Sequence, residues 1–293
     1  MSWPFLEFTK MSAGGNDFVV LDRIATARAG AAPAIDRGFV RRVCARALSV
    51  GADGLILIEP AGPGHVKMIY FNADGGRAAL CGNGVRCVAR LAALRGHAPA
   101  EGMVIETDAG PLQAAVEGAR SWFRLPLGVP EVRQVVLRLR GGAGSEPRGV
   151  EGTWVMAGVP HVVVAVPDAH AMTEGELRAM APAIRAHPDL GPEGANVDFI
   201  TIRGRHALDL RCWERGVEGE TLSSGSGCIA SAMAVTAAGL AWSPVDCRSR
   251  AGFVSTVTIE PGEGGTCSAV LSGDARIVYD GVLSPEALEG FTP

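Results

Sequence analysis

The chain has 293 residues, 47% hydrophobic and 20% charged, with a net charge of −4. That length can bury one large core or two modest ones. The composition excludes disorder as the main state, and the lack of a basic excess argues against nucleic acid as a partner.

Read in chain order, short β-like runs dominate: FLEFTKM, FVVLD, GLILIEP, VKMIYFN, GMVIET, SWFRLPL, RQVVLRLR, TWVMAGV, HVVVAVP, VDFITI, ALDLRCWE, FVSTVTI and ARIVYDG. Helical patterns are fewer. One is expected over Asp36 to Leu48, capped by Asp36, and one over Gly84 to Leu94. A third, Thr173 to Ala186, opens with Thr173 and Glu176 spaced as a capping box, and a fourth covers Gly225 to Leu240. The stretch RLRGGAGSEPRGVEG, with its glycines at 141–149, reads as a surface loop. The closing DARIVYDGVLSPEALEGF can return to the N-terminal half as a strand and short helix.

The start, MSWPFLEFTK, lacks a basic region leading into a long apolar run, so no signal peptide is expected. The most apolar stretch, CIASAMAVTAAGLAW, is too short to cross a bilayer and reads as a buried helix. The seven cysteines are scattered, with no CxxC and no closely spaced ligand pair. Neither a zinc site nor a disulfide framework is expected; a cytoplasmic enzyme fits best.

Two segments match. ALCGNGVRC presents Cys81 before a glycine-rich helix start, and LSSGSGCIA presents Ser224 in the same way, 143 residues later (224 − 81). That spacing is about half the chain, so the economical fold is α+β: two pseudo-symmetric lobes, each with strands wrapped around a central helix, and an active site in the cleft between them. The lobes are expected at 1–118, completed by 279–293, and at 119–278. The first turn of a helix leaves N–H groups unpaired at the positive end of the dipole, where a carboxylate can dock and a thiolate is favoured. A Cys at such a place is commonly only a buried thiol, yet a duplicated cradle is harder to ascribe to packing. Two cradles gripping one carboxylate would flank its α-carbon on both faces, the geometry of a racemase or epimerase that needs neither metal nor pyridoxal phosphate.

The segments FTKMSAGGNDFVVLD, GADGLILIEP, MIYFNADGGRAALCGNGVRCVAR, AGVPHVVV, GANVDFI and WERGVEGET resemble those of the diaminopimelate epimerase family, in its order and spacing, over nearly the whole chain. The resemblance implies a PLP-independent epimerase of two pseudo-symmetric α+β lobes with the active site between them, in which Cys81 is one catalytic acid/base and position 224 is the place of the other. It implies that Asn16, Asn72, Asn196, Glu214 and Arg215 bind the amino-acid groups of the substrate, and that Gly82–Asn83 and Gly225–Ser226 grip the carboxylate at the reacting centre. His161 and Glu214 would tune the pair. A small-molecule amino-acid substrate, no membrane or nucleic-acid partner, no cofactor, and a homodimer complete the implication.

Two departures stand out. Ser224 occupies the place of the second cysteine, and VMAGVPH carries Met156 and Val159 where the family supplies an Asn. A serine hydroxyl is a far weaker acid than a thiol. Either a deliberate Cys-to-Ser change left the site otherwise intact, or the enzyme works with Cys81 alone, as a one-base lyase would. Substitution by Cys228 is disfavoured, because one helical turn is about 6 Å. A racemase of another polar amino acid and a non-catalytic amino-acid-binding relative also remain open.

Overall fold

The computed structural model describes residues 6–26, 35–139 and 148–289. The chain forms two compact units, Met1–Arg124 with Ser272–Pro293, and Leu125–Leu271; the sequence placed the divisions after 118 and 278. In the first unit, β1 (Leu6–Ala13) and β2 (Asn16–Asp22) form an antiparallel hairpin. Its turn uses Gly14 and Gly15, with φ of 59° and 94°, a region glycine enters without steric cost. The single-turn α1 (Arg23–Thr26) and then α2 (Arg37–Cys44) follow, α2 capped by Asp36, which accepts from the Phe39 N–H at 2.6 Å. β3 (Gly54–Gly62) returns parallel to β2, and β4 (His65–Asn72) pairs antiparallel with β3. A two-residue β5 (Arg77–Ala78) leads into α3 (Gly82–Leu94); β6 (Met103–Thr107) then runs parallel to β4, with β7 (Gly110–Glu117) antiparallel to β6.

The second unit repeats this order. β8 (Arg120–Gly128), paired antiparallel with β7, carries the chain out of the first unit; β9 (Val132–Leu139) leads in, and β10 (Arg148–Met156) and β11 (Pro160–Ala165) make the antiparallel hairpin. α4 (Glu174–Arg185) connects to β12 (Asn196–Gly204), parallel to β11, and β13 (Ala207–Glu214) pairs antiparallel with β12. The short β14 (Gly219–Thr221) precedes α5 (Gly225–Ala237); β15 (Val245–Ser249) is parallel to β13 and β16 (Val254–Pro261) antiparallel to β15. β17 (Cys267–Asp274) and β18 (Arg276–Leu283) close the chain, and β18 pairs with β1 ahead of a short 3₁₀ turn at Pro285–Leu288, as the closing segment suggested. Pairing for pairing, the units share one topology, an α+β fold used twice.

The central helices are enclosed by their own units. All nine residues from Gly227 to Val235 of α5 are buried, as are Asn83 to Ala89 of α3. A helix apolar all round belongs in an interior, which is why CIASAMAVTAAGLAW carries no polar stripe. Val19, Leu21, Leu55, Leu57, Phe39 and Val43 pack together in the first unit, and Leu137, Val162, Val197, Phe199, Leu177 and Trp213 in the second. No helix among the described residues is long and apolar enough to cross a membrane.

The sequence reading of the elements needs correction in places. α3 begins at Gly82 rather than Gly84, α2 stops at Cys44 and α5 at Ala237. The Thr173–Glu176 capping box is present as expected, with both of its bonds formed. The flanks of the glycine-rich stretch are strand, with Arg148 opposite Leu139 in the β9–β10 ladder; its centre, 140–147, lies outside the described residues.

One ion cluster anchors the first unit beside the β1–β2 hairpin. The buried Lys10 ammonium lies 2.7 Å from Asp17, and Arg46 reaches the same carboxylate at 2.6 Å and Asp53 at 2.8 Å. Burial alone would raise the Asp17 pKa, but the Arg46 and Lys10 hydrogen bonds and charges prevail and bring it to about 2. A depressed folded-state pKa contributes stability that is present above the ordinary carboxylate range and lost as pH falls through the folded value. Asp17→Asn should therefore cost roughly 2 kcal/mol at neutral pH, and the gap in urea midpoint between wild type and variant should close between about pH 4 and pH 2. A gap independent of pH would refute the assignment.

Candidate active site

Each cradle is built by a strand end, a tight turn and a helix start. In the first unit, Asn72 ends β4 and the chain reverses through a turn in which its N–H donates to the Gly76 carbonyl at 2.9 Å. Gly75, at φ 81°, sits against Arg37, whose carbonyl oxygen would lie 2.6 Å from any added Cβ. Cys81 then takes the N-cap position of α3 with extended φ and ψ of −138° and 110°, and its thiol makes no capping bond to the helix. It is half-buried, whereas the other six cysteines are buried.

Asn16 and Asn83 come together here. The Asn83 amide donates to Asn16 Oδ1 at 2.5 Å and accepts from the buried Arg86 at 2.6 Å, while the Asn16 amide donates to Asp53 at 3.2 Å. Both side chains thus serve the scaffold of the cradle. Asn72 keeps its side chain exposed at the end of β4.

The second cradle has the same path and different chemistry. Ser224 is the N-cap of α5 with φ −125° and ψ 117°, nearly the conformation of Cys81, but its oxygen accepts from the Gly227 N–H at 3.2 Å. The Ser226 hydroxyl lies 3.4 Å from the Ser224 oxygen. Glu214 Oε1 further accepts from Thr221 at 3.0 Å. Burial raises the Glu214 pKa above the ordinary range, against the pull of Ser224, Thr221 and His161, and Asp198 adds to the rise.

Strand register assembles the rest. His161 on β11 lies beside Asn196 on β12, and Asp198 on β12 lies opposite Cys212 on β13. The Arg215 N–H donates to Asn196 Oδ1 at 2.7 Å, so the Asn196 amide nitrogen is turned toward His161 Nε2, 3.2 Å away. Nε2 must then accept, and the imidazole proton sits on Nδ1, 2.7 Å from Asp198 Oδ2. The Cys212 thiol donates to Asp198 Oδ1 at 2.5 Å; burial first, then Asp198, keep that thiol far above its ordinary pKa and protonated. The Arg215 guanidinium reaches the exposed Glu193 at 2.8 Å. At the turn after β10, Val159 and Met156 are half-buried and offer no polar group.

Sequence reading had named the cradle residues, but it missed Asp198, Cys212 and Thr221, which bond or support them. Asp198 stood inside the quoted GANVDFI; a carboxylate in an otherwise apolar strand run is the signal that would have found it.

The glycines of GNG and GSG explain their pattern by space. A Cβ on Gly84 would lie 2.8 Å from Met68 and 3.1 Å from Ile56; one on Gly227 would lie 2.4 Å from Cys212 Sγ and 2.6 Å from Asp198 Oδ1. The helix starts rest directly on the strands beneath.

The chain is thus a twice-repeated α+β unit with Cys or Ser at the N-cap of a glycine-bearing helix start, and solved structures agree on the architecture. A hydroxyproline epimerase from Agrobacterium vitis superposes with a TM-score of 0.66 at 17% identity, covering 98% of this chain and 94% of that one. A phenazine biosynthesis protein of the PhzF family from Bacillus anthracis also gives 0.66, at 14% identity, over 96% and 100% of the two chains. At such identities the likeness is one of fold. The family model for diaminopimelate epimerase matches residues 8–132 and 153–278. Diaminopimelate epimerases from Archaeoglobus fulgidus and Aquifex aeolicus are 35% and 37% identical, over 95% and 97% of this chain and 96% and 100% of theirs. The chain belongs to the diaminopimelate epimerase family.

Gly227→Ala forces α5 off Cys212 and Asp198, and a destabilisation of about 2–3 kcal/mol is expected from overpacking. Gly225→Ala, whose Cβ would meet only Leu271 at 3.0 Å, should cost distinctly less in the same urea titration. Equal costs would show that the helix start is not seated as described.

Proposed function

We propose that the protein is a PLP-independent amino-acid epimerase that interconverts LL- and meso-diaminopimelate by moving the α-proton between two faces, with Ser224 standing where a second thiol belongs. The observation that carries this reading is the repetition itself. Cys81 and Ser224 are N-caps of equivalent 13-residue helices reached by equivalent strands, in a chain of the diaminopimelate epimerase family. Two-base inversion requires both groups to act on one α-carbon. One removes its proton, the electron pair stays on carbon beside the carboxylate, and the other delivers a proton to the opposite face. Helix N–H groups at Gly82–Asn83 and Gly225–Ser226 would hold that carboxylate and stabilise the charge.

Asn72 and Arg215 would bind the distal amino-acid group, a substrate carboxylate displacing the exposed Glu193 from the Arg215 guanidinium. Asn16 and Asn196 would act by holding Asn83 and Arg215, and Glu214 by its bond to Thr221 ahead of Ser224. Val159 and Met156 favour a second reading in substrate only, a racemase for an amino acid whose distal end asks for one polar contact fewer. The protein would be cytoplasmic, consistent with seven free cysteines. It would also be a homodimer, for which the exposed Val278, Tyr279 and Val282 on β18 offer an apolar surface; sedimentation velocity giving a monomer would refute that.

Ser224 cannot ionise near neutral pH without help, so the protein should bind diaminopimelate and invert it slowly, while exchanging the α-proton of the enantiomer that faces Cys81. Ser224→Cys should raise inversion by about 10²–10⁴-fold, the usual worth of one general acid/base, read by NMR in deuterium oxide. If the variant inverts neither diaminopimelate nor another polar amino acid while the serine form catalyses elimination, the site is a one-base lyase.

A further inference from the structure

The loop before β12 and the turn after β13 share an anchor in Arg185, the last residue of α4. Its guanidinium donates to Glu218 Oε1 at 2.6 Å, and the same oxygen accepts the Gly216 N–H at 3.1 Å. Its carbonyl accepts the Ala195 N–H at 3.1 Å, and a Cβ on Gly194 would collide with that oxygen. One arginine thus holds both the loop that carries Glu193 and the turn that carries Arg215. Asn196 Oδ1 adds a second tie by accepting the Arg215 N–H at 2.7 Å. From these pinned segments, Arg215 Nη1 reaches the Glu193 carboxylate at 2.8 Å and the Glu193 carbonyl at 3.4 Å.

Glu193 also stands near the place where a polar contact is missing. β11 and β12 run parallel and their first pair is His161 with Asn196, so Val159 and Glu193 both lie just before that ladder, at the same end. Val159 and Met156 bring no polar group there. The other carboxylates of the turn have partners within the protein: Glu218 takes Arg185 and Gly216, and Glu214 takes Thr221 at 3.0 Å. The Glu193 side chain is 81% exposed and that of Arg215 25%. An exposed ion pair contributes little to stability, so a ligand can open this one at small cost.

We propose that Glu193 is a specificity-determining residue, taking the ammonium of the substrate's distal amino-acid end while Arg215 takes its carboxylate. This rests on the reading that the substrate is a diamino dicarboxylate held by Arg215. The substrate carboxylate enters on the guanidinium and displaces the Glu193 oxygen. The pinned backbone keeps the displaced carboxylate close by, and an α-amino acid carries its ammonium on the carbon next to its carboxylate. Guanidinium, carboxylate, ammonium and Glu193 then alternate in sign, and both new contacts are charge-assisted hydrogen bonds. A charged contact from the neighbouring loop thereby replaces the one that an Asn beside Val159 would have made. The class selected is a molecule with a whole amino-acid group at its far end, against one with a carboxylate alone.

The test is calorimetric titration of the wild-type protein and of Glu193→Gln with diaminopimelate and with 2-aminopimelate. The second ligand keeps the distal carboxylate and lacks the distal ammonium. At so exposed a position the amide leaves the fold intact. Glu193→Gln should weaken diaminopimelate about tenfold and leave 2-aminopimelate as tight or tighter, so that the preference for a distal ammonium falls by at least that factor. Unchanged diaminopimelate affinity, equal weakening of both ligands, or tighter binding of both overturns the proposal; the last result would make Glu193 only an internal competitor for Arg215. Failure of the epimerase reading appears separately, as absence of α-proton exchange in a protein that binds diaminopimelate through Glu193. A wild-type protein that binds no diaminopimelate overturns both.

Discussion

The site depends on two positions where there is no side chain. At Gly84 and Gly227 the first turn of a buried helix rests on the strands below with no space for a methyl group. That contact fixes the height and direction of each helix start, and therefore the place of the N-cap residue three positions earlier. The strand pairs also set what lies beneath: Met68 and Ile56 in the first unit, Cys212 and Asp198 in the second. An apolar floor supports the thiol cradle and a charged floor supports the hydroxyl cradle. The glycines serve packing first, and the open N–H groups above them follow from it.

The difference between the cradles goes beyond one atom. Ser224 is buried and caps its helix through the Gly227 N–H. Cys81 makes no side-chain cap to its helix and is half-buried. Serine is among the best N-cap residues, worth about 1 kcal/mol over a non-capping side chain. The hydroxyl at 224 thus favours stability, a contribution that the uncapped thiol at 81 does not make. Any gain in inversion on placing a thiol at 224 would be set against loss of that cap, the usual opposition between a stable fold and a reactive site.

Much of this was legible in the sequence because it is local. The cradles announce themselves through glycine spacing and a following apolar helix, and the capping box of α4 through Thr173 and Glu176. The half-chain repeat follows from the distance between Cys81 and Ser224. Strands such as β7, β15 and β17 were not legible. Their Gly, Pro, Ser and charged residues alternate with buried ones, as in the CSAVLSGD run of β17, and their order comes from ladder partners far away in sequence.

Register also decides where protons rest in the second unit. The Arg215 N–H orients the Asn196 amide, the amide selects the Nδ1–H tautomer of His161, and that proton bonds Asp198. Cys212 supplies the other Asp198 oxygen with a hydrogen bond, so the buried carboxylate is satisfied from both sides. Each donor is consumed within the row. His161 therefore has no ring proton left for Ser224, and its bond to Asp198 holds in place the carboxylate on which the α5 start rests. Glu214, bonded to Thr221 at 3.0 Å, is the carboxylate of this cradle whose burial makes it more willing to take a proton than one in water.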